Sequence, residues 1–201
     1  MARLSNFESL RIVSILLILS IHIYSQVPYR EMSEINQLLG HFINAIGNIG
    51  VSCFILISGY FGIKFNAYRF IQIALLTTFY TIFIHIINHG WEINMALIRS
   101  AFTIPLYHNW FITCYLILML LSPFINKSLE HISQNKFKKF LLIQFVIFSI
   151  IPTLFNTPYY TVLTGGGKCL VYFIFIYMVG RYIYFYNDIQ VKRLKCIRNF
   201  L

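Results

Sequence analysis

Acidic side chains are scarce in this chain of 201 residues, which sets six Asp and Glu against 16 Lys and Arg. Charge of either sign is sparse too, at 11% of residues where an ordinary soluble domain carries roughly 25%. So few charges cannot clothe a 23.7 kDa globule. With 58% hydrophobic residues and a mean hydropathy of +0.70, the outer side chains need lipid as their solvent. The lack of acids in the centre of any apolar run also argues against an ion-coupled transporter, which uses intramembrane carboxylates. Four cysteines, Cys53, Cys114, Cys169 and Cys196, show neither CxxC pairing nor metal-ligand spacing, and read as small hydrophobes. No internal repeat, heptad run or low-complexity tract is visible, and the alternation of a membrane β-barrel is missing. The basic start leads into an apolar run, yet no small-x-small cleavage site follows, so the run reads as a retained first helix.

What is present is six apolar segments: Leu10–Val27, Phe42–Phe61, Phe70–Asn88, Trp110–Asn126, Phe140–Phe155 and Cys169–Tyr186. In lipid each must satisfy its own backbone, so each is expected to be a helix. The expected fold is an all-α integral membrane protein, a six-transmembrane-helix bundle forming a single membrane domain over residues 1–201. Pro123 and Pro152 are expected to kink or end their helices. Met95-Ala96-Leu97-Ile98, in the long fourth-helix approach, reads as an interfacial helix.

The net charge of +10 does not gather into an aromatic-flanked patch, so no nucleic-acid partner is expected. It alternates with the apolar segments. With the N-terminus cytoplasmic, 13 of the 16 Lys and Arg fall on the cytoplasmic side (Arg3, Arg11, Lys64, Arg69, Lys127, Lys136, Lys138, Lys139, Arg181, Lys192, Arg193, Lys195, Arg198), and three (Arg30, Arg99, Lys168) fall outside. The positive-inside rule therefore predicts both termini cytoplasmic. Lys127, Lys136, Lys138 and Lys139 read as a basic loop touching anionic membrane lipid.

Two ionisable residues lie within the first segment. Arg11 and His22 are 11 residues apart, about 20° past three full helical turns, which puts both on one face about 16 Å apart along the axis. Intramembrane ionisable groups are costly and usually functional, although Arg11 also reads as a snorkelling anchor and His22 as a partner in an interhelical hydrogen bond. The second segment ends Phe54-Ile55-Leu56-Ile57-Ser58-Gly59-Tyr60-Phe61, and Lys64 and Arg69 follow. Further on stand Tyr107-His108-Asn109-Trp110-Phe111 and Leu121-Ser122-Pro123-Phe124. Ser58 and Gly59 read equally as small residues for helix packing, and Trp110 as an interfacial belt residue. His41, His85, His89 and His108 map to the outer side, but no carboxylate-rich helix accompanies them, so no metal is expected. Gly165-Gly166-Gly167-Lys168 lacks the spacing of a phosphate loop and reads as a turn.

In this order, the R-x10-H pair, the Ser58-Gly59-Tyr60-Phe61 block and the His108 and Trp110 block resemble the acyltransferase family 3 membrane proteins, which include bacterial O-acetyltransferases of surface polysaccharides. The resemblance runs from Ser5 to about Tyr186. It implies O-acetyl transfer in the bacterial cell membrane, from an acyl-CoA donor such as acetyl-CoA on the cytoplasmic side to a hydroxyl of a polysaccharide or glycolipid acceptor. On that reading His22 is the catalytic base or carries the acyl group. Coenzyme A is anionic, and Arg11, Lys64 and Arg69 are the cations expected to hold it. Ser58, Gly59, Tyr60, His108 and Trp110 serve substrate contact or packing. Arg11, His22, Ser58 and Arg69 are expected to face a protein-lined cavity. Family members carry further helices, so this N-terminal part of the domain is expected to be inactive alone, or to be completed by C-terminal helices from a separate chain. The competing readings are a small channel-like transporter and an inactive remnant of the enzyme.

Overall fold

Helices dominate, because every apolar segment closes its own backbone hydrogen bonds. The computed structural model describes residues 5–25, 32–90, 95, 110–155 and 168–186, and no strand occurs among them. Among the described residues six longer helices follow in order: α1 (Ser5–Ser25), α2 (Glu34–Phe61), α3 (Ala67–His89), α4 (Trp110–Glu130), α5 (Gln134–Phe145) and α6 (Leu170–Tyr186). α5 continues through a π-helical turn, Val146–Ile150, and a last α-helical turn, Ile151–Leu154. Counting that extension, the first five are long and apolar enough to cross a membrane, while α6 with 17 residues falls in a shorter class.

The helices outrun the apolar segments. α1 begins at Ser5 and not Leu10, α2 at Glu34 and not Phe42, and α4 runs on to Glu130 past Asn126. Polar turns outside the hydrocarbon are as helix-competent as apolar ones, so hydropathy marks the buried length and not the helix. The 28 residues of α2 reach about 42 Å, longer than the roughly 30 Å hydrocarbon core. For the same reason Lys127, Lys136, Lys138 and Lys139 are not loop residues. They are exposed on the last turn of α4 and the first turns of α5, either side of a turn at 131–133.

Local rules explain the ends and the prolines. α2 stops because Gly62 takes φ +70°, a left-handed conformation that ends a helix without a Cβ penalty. Asn66 then caps α3, its side-chain oxygen accepting from the Arg69 N–H at 3.0 Å. Pro123 does not end α4. It removes the N–H that would serve the Met119 carbonyl, and the buried Ser122 hydroxyl donates to that carbonyl instead at 2.8 Å. Pro152 sits directly after the π turn, where the ladder is already shifted by one residue. Other hydroxyls inside the spans share a scheme: Ser14, Ser20, Ser58, Thr77, Thr78 and Thr81 each donate to the carbonyl four residues back, at 2.7–2.9 Å. A span can then carry hydroxyls without exposing them to lipid.

The chain divides into two compact units. The first comprises residues 1–61 and 176–201. In it α1 and α2 form an antiparallel pair held by glycines. A side chain at Gly40 would meet Tyr24, one at Gly47 would meet Ile21 and the Leu17 backbone, and one at Gly50 would meet the Ser14 backbone and Leu17. The last turns of α2 meet α6 by direct backbone approach: Gly59 lies on the Tyr177 backbone, and Gly180 on the backbones of Leu56, Gly59 and Tyr60. Without a hydrophobic drive between helices in lipid, close approach at small residues is what holds them. Ile55, Ile57, Tyr60, Tyr177 and Met178 form its core.

The second unit covers residues 62–175. α3 packs on α4, and the Asn126 amide donates to the Ile63 carbonyl at 3.1 Å, tying the loop before α3 to the end of α4. Its core holds Leu116, Leu118, Met119, Leu129, Phe137 and Phe173. Elsewhere the apolar side chains point outward. Leu75, Phe79, Phe83 and Ile87 of α3 are all exposed, as expected of a surface wetted by lipid.

Candidate active site

α1 is unbroken from Ser5 to Ser25, so Arg11 and His22 do share one helix and one edge of it. Arg11 is part-buried. Its Nη1 donates to Glu8 Oε1 at 3.0 Å one turn back, and its guanidinium lies 5.5 Å from the Phe61 ring. With 38% and 42% of the two side chains exposed, that ion pair contributes a few tenths of a kcal/mol and leaves the guanidinium available. His22 is exposed.

α2 adds a feature that hydropathy averages away. Gln37, His41, Asn44, Asn48 and Ser52 fall within about 80° of one another on the helical wheel. The Asn48 amide donates to the Asn44 carbonyl at 2.8 Å and its side-chain oxygen at 3.1 Å. His41, Asn44 and Asn48 are exposed. This stripe lies about 100° round from the Gly40, Gly47 and Gly50 face that packs on α1, and Arg11 and His22 lie a similar angle round from α1's own packing face. Since the two helices are antiparallel, equal rotations in the same sense bring both sets to one side of the pair. One flank of α1 and α2 is therefore polar inside an apolar hairpin. Reading hydropathy by segment missed Asn44, Asn48 and Ser52; their four-residue spacing was the available signal.

At the other end of the pair, Tyr60 is buried, stacked on Phe7 at 4.7 Å, and edge-on to Phe61 at 5.3 Å and Tyr184 at 5.7 Å. Arg11 is thereby brought to the aromatic cluster around Tyr60. The Ser58 hydroxyl donates to the Phe54 carbonyl of its own helix at 2.9 Å, and Gly59 lies on the Tyr177 backbone. In the second unit, Lys64 and Arg69 are exposed at the start of α3, in and just after the loop held by Asn126. Trp110 is half-buried, edge-on to Phe173 at 5.8 Å, with the Lys168 ammonium 5.9 Å from its ring. His108 lies outside the described residues, as do Cys196, Gly165 to Gly167, Arg3, Arg30, Arg99, the basic stretch after Tyr186, and all of the proposed interfacial helix except Met95, which is helical and exposed. Cys53, Cys114 and Cys169 are free thiols.

Arg181 lies inside the last apolar segment, as its position in the sequence implies. Counted with the cytoplasmic charges, it lies within α6 and is only 8% exposed.

A family model of the acyltransferase domain matches residues 4–198. The chain belongs to acyltransferase family 3. With five helices among the described residues long and apolar enough to span a membrane, this family member is a multi-pass membrane protein. No curated protein and no solved structure matches it.

Proposed function

We propose that this acyltransferase moves an acyl group, an acetyl group in the simplest case, from acyl-CoA to a hydroxyl of a cell-surface polysaccharide or glycolipid, in a bacterial cell membrane with six spans and both termini cytoplasmic. The observation that carries this reading is the shared polar flank of α1 and α2, with a fixed cation at one level and an imidazole about 16 Å further along the same helix edge. That separation leaves room for an extended donor arm between its phosphates, near Arg11, and its thioester, near His22. Lys64 and Arg69 are assigned to the donor side by the order of the spans.

In this scheme His22 takes the proton of the acceptor hydroxyl as that oxygen attacks the thioester carbonyl. The new ester forms as the carbon–sulfur bond breaks, and the imidazolium returns the proton to the departing thiolate. Asn44 and Asn48 offer amides to hydroxyls of the acceptor. No external oxidant or reductant enters, and the atoms balance as ester plus free thiol.

Mass spectrometry of surface glycans from cells with and without the gene tests the proposal. A loss of acyl units in the deletion, restored by the wild-type gene and not by His22→Ala, is the expected result. Identical glycans in all strains would overturn it.

A further inference from the structure

Arg181 occupies a place that its helix does not explain. It sits in the apolar α6, directly after the Gly180 that touches the backbone of α2, and 8% of its surface is exposed. Among the described residues no carboxylate pairs with it, and its Nε, fully buried, has no hydrogen-bond partner. What surrounds it is aromatic: its guanidinium carbon lies 4.5 Å from the Phe185 ring and 5.0 Å from the Tyr184 ring. Cation–π contact offsets part of the desolvation of a guanidinium, but leaves the buried Nε–H, which lies in the guanidinium plane, without an acceptor. A buried cation short of acceptors is strongly penalised unless an anion arrives.

The aromatic contacts also connect it to Arg11. Tyr184 is edge-on to Tyr60, Tyr60 to Phe61, and Phe61 carries the Arg11 guanidinium, each step being 5.3–5.7 Å. Two arginines thus end one run of rings contributed by the last turn of α2 and by α6. Fork-shaped guanidiniums suit phosphate oxygens, and ring faces suit a base or an acyl stem.

We infer that Arg181 is a second phosphate-binding cation, which together with Arg11 and the rings of Tyr60, Phe61 and Tyr184 forms a site for a ligand carrying more than one phosphate. The assignment to the donor, coenzyme A, rests on the function proposed above; the same chemistry would also take the phosphate of an anionic lipid headgroup. Arg181 is a binding residue on this account and takes no part in bond making.

The full chain in phosphatidylcholine nanodiscs, titrated with coenzyme A in a calorimeter, distinguishes the cases. Arg181→Gln should weaken binding about tenfold or more, and Arg181→Lys about threefold, because charge without the fork serves phosphate less well. Unchanged affinity in both variants, with wild-type binding intact, would overturn the site and leave the donor reading standing. If Arg181→Gln does not fold, Arg181→Lys decides alone, and wild-type affinity in it overturns the site. If the wild type itself does not bind coenzyme A, the donor reading fails. Native mass spectrometry from nanodiscs containing phosphatidylglycerol then decides the site: lipid retained by wild type and lost from Arg181→Gln supports it with a lipid phosphate as ligand, while equal retention overturns it.

Discussion

At the residue scale, Arg11 and His22 differ in how much of the structure depends on them. His22 is exposed on α1, so His22→Ala removes little packing. The expected outcome is an unchanged melting profile in detergent, within about 0.5 kcal/mol, with acyl transfer reduced by at least about a hundredfold. A folded His22→Ala protein that still acylates glycan at near the wild-type rate would remove the imidazole from the mechanism. Arg11 is tied on one side to Glu8 and on the other to Phe61, so Arg11→Ala loses a phosphate fork and a ring contact together. Donor affinity should fall about tenfold in Arg11→Ala and less in Arg11→Lys. Equal affinities across the three proteins would detach Arg11 from the donor. Both residues were legible in the sequence, because an arginine and a histidine stand out in an apolar run at helical spacing. Arg181 stands out by the same test. It was counted only as one of the charges on the cytoplasmic side, because its burial is a tertiary property: the neighbouring Gly180 lies on the backbone of α2, a contact distant in sequence.

At the scale of elements, the helices and their order follow from hydropathy, but the close approaches between them do not. Gly59 and Gly180 lie against backbone of the opposing helix, so added side-chain atoms cannot be absorbed by rotating a neighbour. Gly59→Leu and Gly180→Leu should each destabilise the first unit by about 2 kcal/mol or more, read as a lowered unfolding midpoint. Wild-type stability in either would mean that the two helices separate without cost. Gly59 reads from the sequence as either a packing or a substrate residue, and its close approach to the Tyr177 backbone is a contact that the sequence alone does not show. Pro123 illustrates the converse. Helix-breaking chemistry predicts a kink or a stop, whereas Ser122 supplies the missing donor and α4 continues. Ser122→Ala should therefore cost about 1–2 kcal/mol by leaving the Met119 carbonyl without a partner. Adding Pro123→Ala to it should restore most of that loss by returning the backbone N–H. Failure of the double variant to recover stability would show that the serine acts through something other than that carbonyl.

For the whole molecule, orientation is a property of charge distribution, and it can be argued without any contact between the units. Thirteen of 16 Lys and Arg lie on the side assigned to the cytoplasm. Withdrawing Arg181, which is buried in α6, leaves 12 against three, so the asymmetry does not depend on it. The strongest local contribution comes from the short connection between α4 and α5, where Lys127, Lys136, Lys138 and Lys139 are all exposed within two turns of the helix ends. Short connections with several Lys close to the span are those on which the positive-inside rule acts most strongly. A fluorescent protein that matures only in the cytoplasm, fused after Asn135, should fluoresce, and alkaline phosphatase at the same point should be inactive. The pair of reporters should give the opposite result when fused after Ser100, between α3 and α4. Active phosphatase at Asn135 would invert the protein, put Arg11 and Arg181 on the far side from cytoplasmic coenzyme A, and end the donor reading for both arginines together.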